Sequence, residues 1–278
     1  MAPPVAENVL VALICVTVAI IYSGKTEFAL QKISEIIHRK PGCNPIPSVE
    51  NVTLHYFAGR GRGEAIRMLM ANAEVPWSET KFTKESWPEA KEAGVSNGIY
   101  TFGQVPAVTT SGGHHLVQSI AILHYLGRSV GYDCDCADLH WCEQIALGLE
   151  DITQRLSKLV YNKDDFIVEK IDEYLDTTLP TWLTFFEKIA PVLDESAKEL
   201  TFASERLTWV DFLVFNMIEK NYAFENAVSG ARGKSVDVLE KFPKLKRFYE
   251  EFQNRPKLHA YLNNKERPPF KLPFPIIN

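Results

Sequence analysis

A chain of 278 residues with an apolar fraction of 46% is long enough for one large globular domain or two small ones. Its net charge of -5 and the lack of any dense basic run exclude a nucleic-acid-binding protein. The 5 cysteines are an odd count without framework spacing, which argues against a disulfide-stapled secreted fold.

The first apolar run is Val9–Tyr22, VLVALICVTVAIIY. As a helix it spans about 21 Å, short of a hydrocarbon core of about 30 Å. Extending it to Val5–Gly24 reaches the required length but takes in Glu7 and Asn8. A cleaved signal peptide fits less well, because Glu7 is negative and Ile21-Tyr22-Ser23 is a poor cleavage site. The reading is a single hydrophobic anchor over residues 1–24, which makes the membrane a partner. Lys25, Lys32, Arg39 and Lys40 all follow the run. That bias predicts a cytosolic globular part, with the endoplasmic reticulum as the expected membrane; a secreted or luminal protein is the alternative. Asn51-Val52-Thr53 is a glycosylation triplet, usable only on the luminal side. Residues 25–48 read as an amphipathic juxtamembrane helix over Thr26–Arg39 and a Pro/Gly-rich linker, Pro41–Pro47.

From residue 49 to 130 the pattern alternates. Val52, Leu54 and Tyr56 alternate with Thr53, His55 and Phe57, which predicts a strand over 52–57. Ile66, Met68, Leu69, Met70 and Ala73 predict a helix over 63–73. A short strand near 78–82, an irregular stretch to Gly103, strands near 107–109 and 116–117, and a helix over 119–128 follow. This β-α-β, β-β-α order predicts a thioredoxin-like unit. The turn after the first strand has no cysteine, so the reactive sulfur must come from a bound thiol. Ala58-Gly59-Arg60-Gly61-Arg62-Gly63 lies between strand and helix, where backbone N–H groups, the helix dipole and guanidinium charge converge on an anion. A Tyr56 hydroxyl donating to a thiolate there, with the Arg62 charge nearby, would lower the thiol pKa. The same residues also suit a core tyrosine and a solvated turn.

Tyr56-Phe57-x-x-Arg60-Gly61-x-x-Glu64-x-x-Arg67 resembles the opening motif of the cytosolic glutathione S-transferases that use a catalytic tyrosine, and its wording is nearest the sigma class, which includes the haematopoietic prostaglandin D synthases. The resemblance implies glutathione as co-substrate and no metal, with Tyr56 and Arg62 as the catalytic residues. It brings further residues with it. In Phe102-Gly103-Gln104-Val105-Pro106 it implies a cis proline and a Val105 backbone that pairs with glutathione like an added strand. Gln118-Ser119 opens the next helix, with Ser119 as its N-cap, to bind the γ-glutamyl carboxylate. Trp87 and Lys91 would reach the glycyl end. An insert over about 94–100 lengthens this wall of the site. His114 and His115 point to opposite faces of a strand and read as surface residues.

A linker over 131–137 precedes a helical domain over 138–263. Ile145, Leu149, Ile152, Leu156 and Leu159 form a helical core stripe. The resemblance places an acid beside it that crosses a homodimer interface to the γ-glutamyl amine. Asp151 is the candidate, and Glu150 reads equally as a solvated acid. A second helical segment is expected over Asp164–Ile189, kinked near Pro180. Thr208-Trp209-Val210-Asp211 reads as a capping box. Phe57 and Thr153 are the candidates for the electrophile pocket, and the positions near Thr153 and Lys158 are polar where a prostaglandin pocket would be apolar. A tail over 264–278, with Arg267–Pro275 proline-rich, would either cover that pocket or trail off. Cys134, Cys136, Cys142 and His140 form a grouping suited to a metal, but they fall on the expected linker and no metal is assigned. The expected function is conjugation of glutathione to a small apolar electrophile. A glutathione-dependent isomerase and a non-catalytic binding or structural relative are the alternatives.

Overall fold

The computed structural model of the protein describes residues 49–191 and 200–276. The expected anchor over 1–24 and the juxtamembrane helix and linker over 25–48 lie outside the described residues. Among the described residues no helix is long and apolar enough to cross a membrane.

The chain opens with a four-stranded mixed sheet. β1 (Val52–Phe57) pairs in parallel with β2 (Trp77–Phe82) and antiparallel with β3 (Ala107–Thr110), and β3 pairs antiparallel with β4 (His115–Val117), giving the order β2-β1-β3-β4. The register sets Leu54 opposite Glu79 on one side and Val108 on the other. α1 (Glu64–Asn72) and α3 (Ser119–Ser129) cover one face of the sheet. α1 also meets the helical layer, which is why Ile66, Met68, Leu69 and Met70 are all fully buried rather than confined to one stripe. Each such side chain contributes about 1.5–3 kcal/mol. A second, smaller cluster of Phe82, Tyr100, Ala107 and Val117 lies outside the main core.

Three local features depart from expectation. The stretch before Gly103 is not irregular throughout, because α2 (Trp87–Ser96) occupies most of it. Its sequence hides the helix: only Gly94 is buried, so no apolar stripe marks it. Ser119 is the first residue of α3 rather than its N-cap; Gln118 holds that position with no side-chain cap bond. Third, Cys134 and Cys142 form a disulfide, against the expectation from the cysteine count. Residues 134–138 lead directly into α4 (Leu139–Tyr161), which brings a pair only eight positions apart together. Both cysteines are buried.

The helical layer is built on α4 and α7 (Trp209–Arg232). Ile145, Leu149, Ile152, Leu156 and Leu159 of α4 are all buried, as their spacing predicts. The expected 164–189 segment resolves into α5 (Val168–Glu173), a π turn over Tyr174–Thr178 and α6 (Leu179–Ile189). The irregularity falls just before Pro180; Thr178 is itself helical, so the helix runs on, and the wider π turn is where it accommodates the proline ring and its missing N–H. The capping box forms: Asp211 Oδ2 accepts the Thr208 N–H at 2.7 Å and Oδ1 accepts the Phe202 N–H at 2.8 Å. α8 (Pro243–Gln253) and α9 (Pro256–Leu262) complete the layer. The tail beyond α9 neither trails off nor lines the crevice described below. Arg267 pairs with Glu64 and Glu219, Arg60 donates to the Pro268 carbonyl, and Phe270, Leu272 and Phe274 pack on the main core.

Candidate active site

β1 ends at Phe57, the chain passes through a single 3-10 turn at Gly61–Gly63, and α1 starts at Glu64. The Arg62 N–H donates to the Tyr56 hydroxyl oxygen at 2.8 Å. The phenol therefore keeps its own proton free for a second acceptor. Burial pushes the Tyr56 hydroxyl above the usual tyrosine range despite the opposing Arg62 bond, so it is a neutral donor and not a phenolate. The glycines of the turn are small because this ring lies against them. A Cβ on Gly61 would come 2.4 Å from the Tyr56 Oη, and one on Gly63 would come 2.9 Å from its Cδ1. Below the turn, fully buried Arg67 donates to the Gly59 carbonyl at 2.9 Å and pairs with Glu64 and Glu79. Arg67 and Glu64, both part of the opening motif, thus hold the turn from beneath.

The Arg62 side chain donates to Glu150 of α4 at 2.5 Å, across 88 positions of sequence. Burial alone would raise the Glu150 pKa; the hydrogen bonds from Arg62 and Gln154 outweigh it and hold the carboxyl below its usual range. A crevice opens beside this pair, lined by Ser119, Thr153, Leu213, Asn216 and Lys220 among others. Burial and the neighbouring Arg62 charge push the Lys220 ammonium down to about 8. Ala146, Glu150, Thr153, Ser157 and Tyr161 recur every three or four residues, so one face of α4 runs along this side of the molecule beside its core stripe. At its end Tyr161 is exposed. Sequence reasoning missed Lys220, which nothing local marks.

The other expected site residues are spread over several elements. Gln118 and Gln104 meet, with Gln118 Nε2 donating to Gln104 Oε1 at 3.1 Å. Gln118 holds φ 72°, a left-handed backbone that a non-glycine residue adopts only where its surroundings demand it, and such positions cluster at binding sites. The Val105–Pro106 peptide is cis, as the motif implies. Trp87 and Lys91 lie on α2. Trp87 packs against Phe82, Phe57 and Tyr100, and the Lys91 side chain runs past Gly103. The segment over 94–100 is anchored: the buried Tyr100 is hydrogen bonded to His55 Nδ1 at 3.0 Å and packs directly against Gly94. Phe57 and Thr153 are not brought together. Alternation along β1 sends Phe57 into the aromatic cluster with Phe82 and Trp87, while Thr153 lines the crevice. Asp151 is exposed one position beyond Glu150, on the outward side of α4. His114 and His115 are exposed. Among the described residues no group of His, Cys, Asp or Glu is placed to hold a metal ion.

A thioredoxin-like sheet unit followed by an all-helical layer, with a tyrosine hydroxyl at the end of β1 and a cis-proline loop before β3, defines the class of fold. Comparison with known proteins narrows the class. Residues 52–128 match the glutathione S-transferase N-terminal domain and residues 150–265 the glutathione S-transferase C-terminal domain. The chain belongs to the glutathione S-transferase superfamily. Glutathione S-transferase P 1 of Bufo bufo is 28% identical over 227 residues, covering 78% of this chain and 95% of the relative. Glutathione S-transferase Mu 2 of Homo sapiens is 28% identical, covering 77% and 91%. The fold is shared with the Onchocerca volvulus pi-class glutathione S-transferase, at a TM-score of 0.62 and 23% identity over 76% of this chain and 91% of that one.

Proposed function

We propose that this chain conjugates glutathione to small electrophiles, with Tyr56 as the residue that stabilises the thiolate. The observation that carries the reading is the Arg62 N–H bond to the Tyr56 oxygen, which leaves a protonated, largely desolvated hydroxyl pointing its donor at the site. A sulfur accepting that bond has its ionised form favoured, and its proton passes to solvent. The thiolate then attacks the electrophilic carbon, forming a C–S bond as the leaving group departs with its electron pair. Arg62, held by Glu150, adds fixed positive charge. The Val105 backbone and the Gln104–Gln118 pair hold the peptide, Ser119 and the N-terminus of α3 take the γ-glutamyl carboxylate, and Trp87 and Lys91 take the glycyl end. The electrophile approaches the sulfur from the side bounded by Thr153, Asn216 and Lys220.

The Tyr56–Arg67 wording points to the sigma class, whereas the relatives above carry pi and mu names. The outer face of α4 supports a homodimer: Leu147, 60% exposed, shares a face with Asp151 one turn on, which lets that acid reach glutathione on the partner protomer. Membrane attachment is a reading of Val9–Tyr22 alone; deleting residues 1–44 tests it by whether the protein leaves the membrane fraction.

The test is conjugation to a chlorodinitrobenzene-type electrophile by the wild type and by Tyr56→Phe. The expected loss in kcat is about 100-fold, or about 2.7 kcal/mol of transition-state stabilisation. Glutathione binding, measured by calorimetry, stays within a few-fold. Equal turnover by the two proteins would remove Tyr56 from the chemistry.

A further inference from the structure

The buried Cys134–Cys142 disulfide and the triplet Asn51-Val52-Thr53 are features that conjugation does not use. We propose that Asn51 is an N-glycosylation site and that the globular part of this chain reaches its fold in the oxidising lumen of the secretory pathway. The two observations are independent and point to one compartment. A disulfide closed inside a domain persists where thiols are oxidised and is rare where glutathione and thioredoxin keep them reduced. N-glycan transfer occurs only on the luminal side of the same membrane. The basic residues after Val9–Tyr22 favour the opposite topology, but that rule is a statistical bias of loop charge, whereas the folded part itself sets Cys134 and Cys142 6.5 Å apart at Cα, within the span a disulfide bridges.

Asn51 is placed to carry a glycan at no cost to the site. It is exposed, and only its backbone enters the fold, its carbonyl accepting the Ser111 N–H at 3.1 Å. It borders an open groove of small polar residues, Thr53, Ser78, Thr109, Thr110 and Ser111. It precedes β1 at the end opposite Tyr56, about 16 Å away along the strand. Asn51 is the one asparagine in the chain followed by any residue but proline and then Ser or Thr. An N-glycan on this protein can therefore have only one address.

The transfer balances simply. The Asn51 amide nitrogen attacks the anomeric carbon of a polyprenyl-diphosphate-linked oligosaccharide. A C–N bond forms, the C–O bond to the diphosphate breaks, and the amide gives up one proton with no change of oxidation state. The disulfide forms when the Cys134 and Cys142 thiols give two electrons and two protons to the disulfide of a protein oxidoreductase, which becomes a dithiol.

The experiment is expression of the full chain in insect cells, followed by peptide N-glycosidase treatment and electrophoresis. The wild type is expected to lose the mass of a single glycan, with Asn51 converted to Asp in the peptide mass spectrum. Asn51→Gln and Thr53→Ala are expected to show no shift, and Thr53→Ser to keep it. Asn51→Gln should keep glutathione conjugation, which separates loss of the acceptor from loss of the fold. In the same preparation, denatured without reductant, Cys134 and Cys142 should resist maleimide and react after reduction. A wild type unshifted by the glycosidase, or Cys134 and Cys142 that alkylate without reductant, overturns the proposal.

Discussion

Gly61 and Gly63 are small because the Tyr56 ring occupies the space their side chains would need. A methyl at position 61 would stand 2.4 Å from the hydroxyl oxygen, and Gly61 also holds φ 42°. Gly61→Ala must move either the turn or the ring, and a shift of ~1 Å at a reacting group costs ~100-fold in rate. We expect at least a tenfold fall in kcat with the fold retained by circular dichroism; unchanged kcat would mean that the ring position is irrelevant. Glu150 acts one step further out, through Arg62. Glu150→Gln removes the charge that holds the guanidinium, and the expected result is a glutathione KM about tenfold higher, near 1.4 kcal/mol, with kcat changed little. Because the folded pKa of Glu150 lies below its unfolded value, the ion pair is present above the usual carboxylate range and is lost as pH falls through the lowered pKa. The wild-type KM should therefore rise in acid more steeply than that of Glu150→Gln, and parallel pH profiles would contradict the pairing. The Tyr56–Arg62 contact is legible in the sequence because strand end and turn lie within seven residues. Glu150 as the partner of Arg62 is not, because only the fold brings positions 88 apart into contact.

At the scale of elements, α2 and the loop after it form one wall of the proposed glutathione site. Tyr100 is its anchor, bonded to His55 on β1 and packed on Trp87 and Gly94. Tyr100→Phe leaves the ring and removes the bond to His55, a loss of about 1 kcal/mol. We expect a several-fold rise in glutathione KM at constant kcat, since the wall positions the peptide and not the sulfur; a fall in kcat alone would place Tyr100 in the chemistry. The strands, α1 and the α4 stripe are legible because each buries a regular face. α2 is not, since its one buried residue is a glycine. The π turn escaped for a different reason: Pro180 marks a disturbance, yet nothing in the residues says on which side of it the helix adjusts.

At the scale of the molecule, the site is a product of two layers, with Tyr56 and Arg62 on the sheet unit and Glu150, Thr153 and Lys220 on α4 and α7. The outward face of α4 carries the proposed pairing of protomers. Leu147→Glu should convert a dimer to a monomer in sedimentation and weaken glutathione binding, because Asp151 then loses the protomer it serves; a Leu147→Glu protein that sediments as the wild type would contradict that face. The Cys134–Cys142 disulfide shows the limit of reading cysteines by count, because a local pair between a linker and the helix after it needs no framework spacing. The central claim is that Tyr56 lowers the pKa of a bound thiol. It is tested most directly by titrating the ultraviolet absorbance of the glutathione thiolate in complex with the wild type and with Tyr56→Phe. The account predicts a thiol pKa near ~7 in the wild type and a return toward the free value of about 8.5 in the variant. The same pKa in both complexes would contradict it.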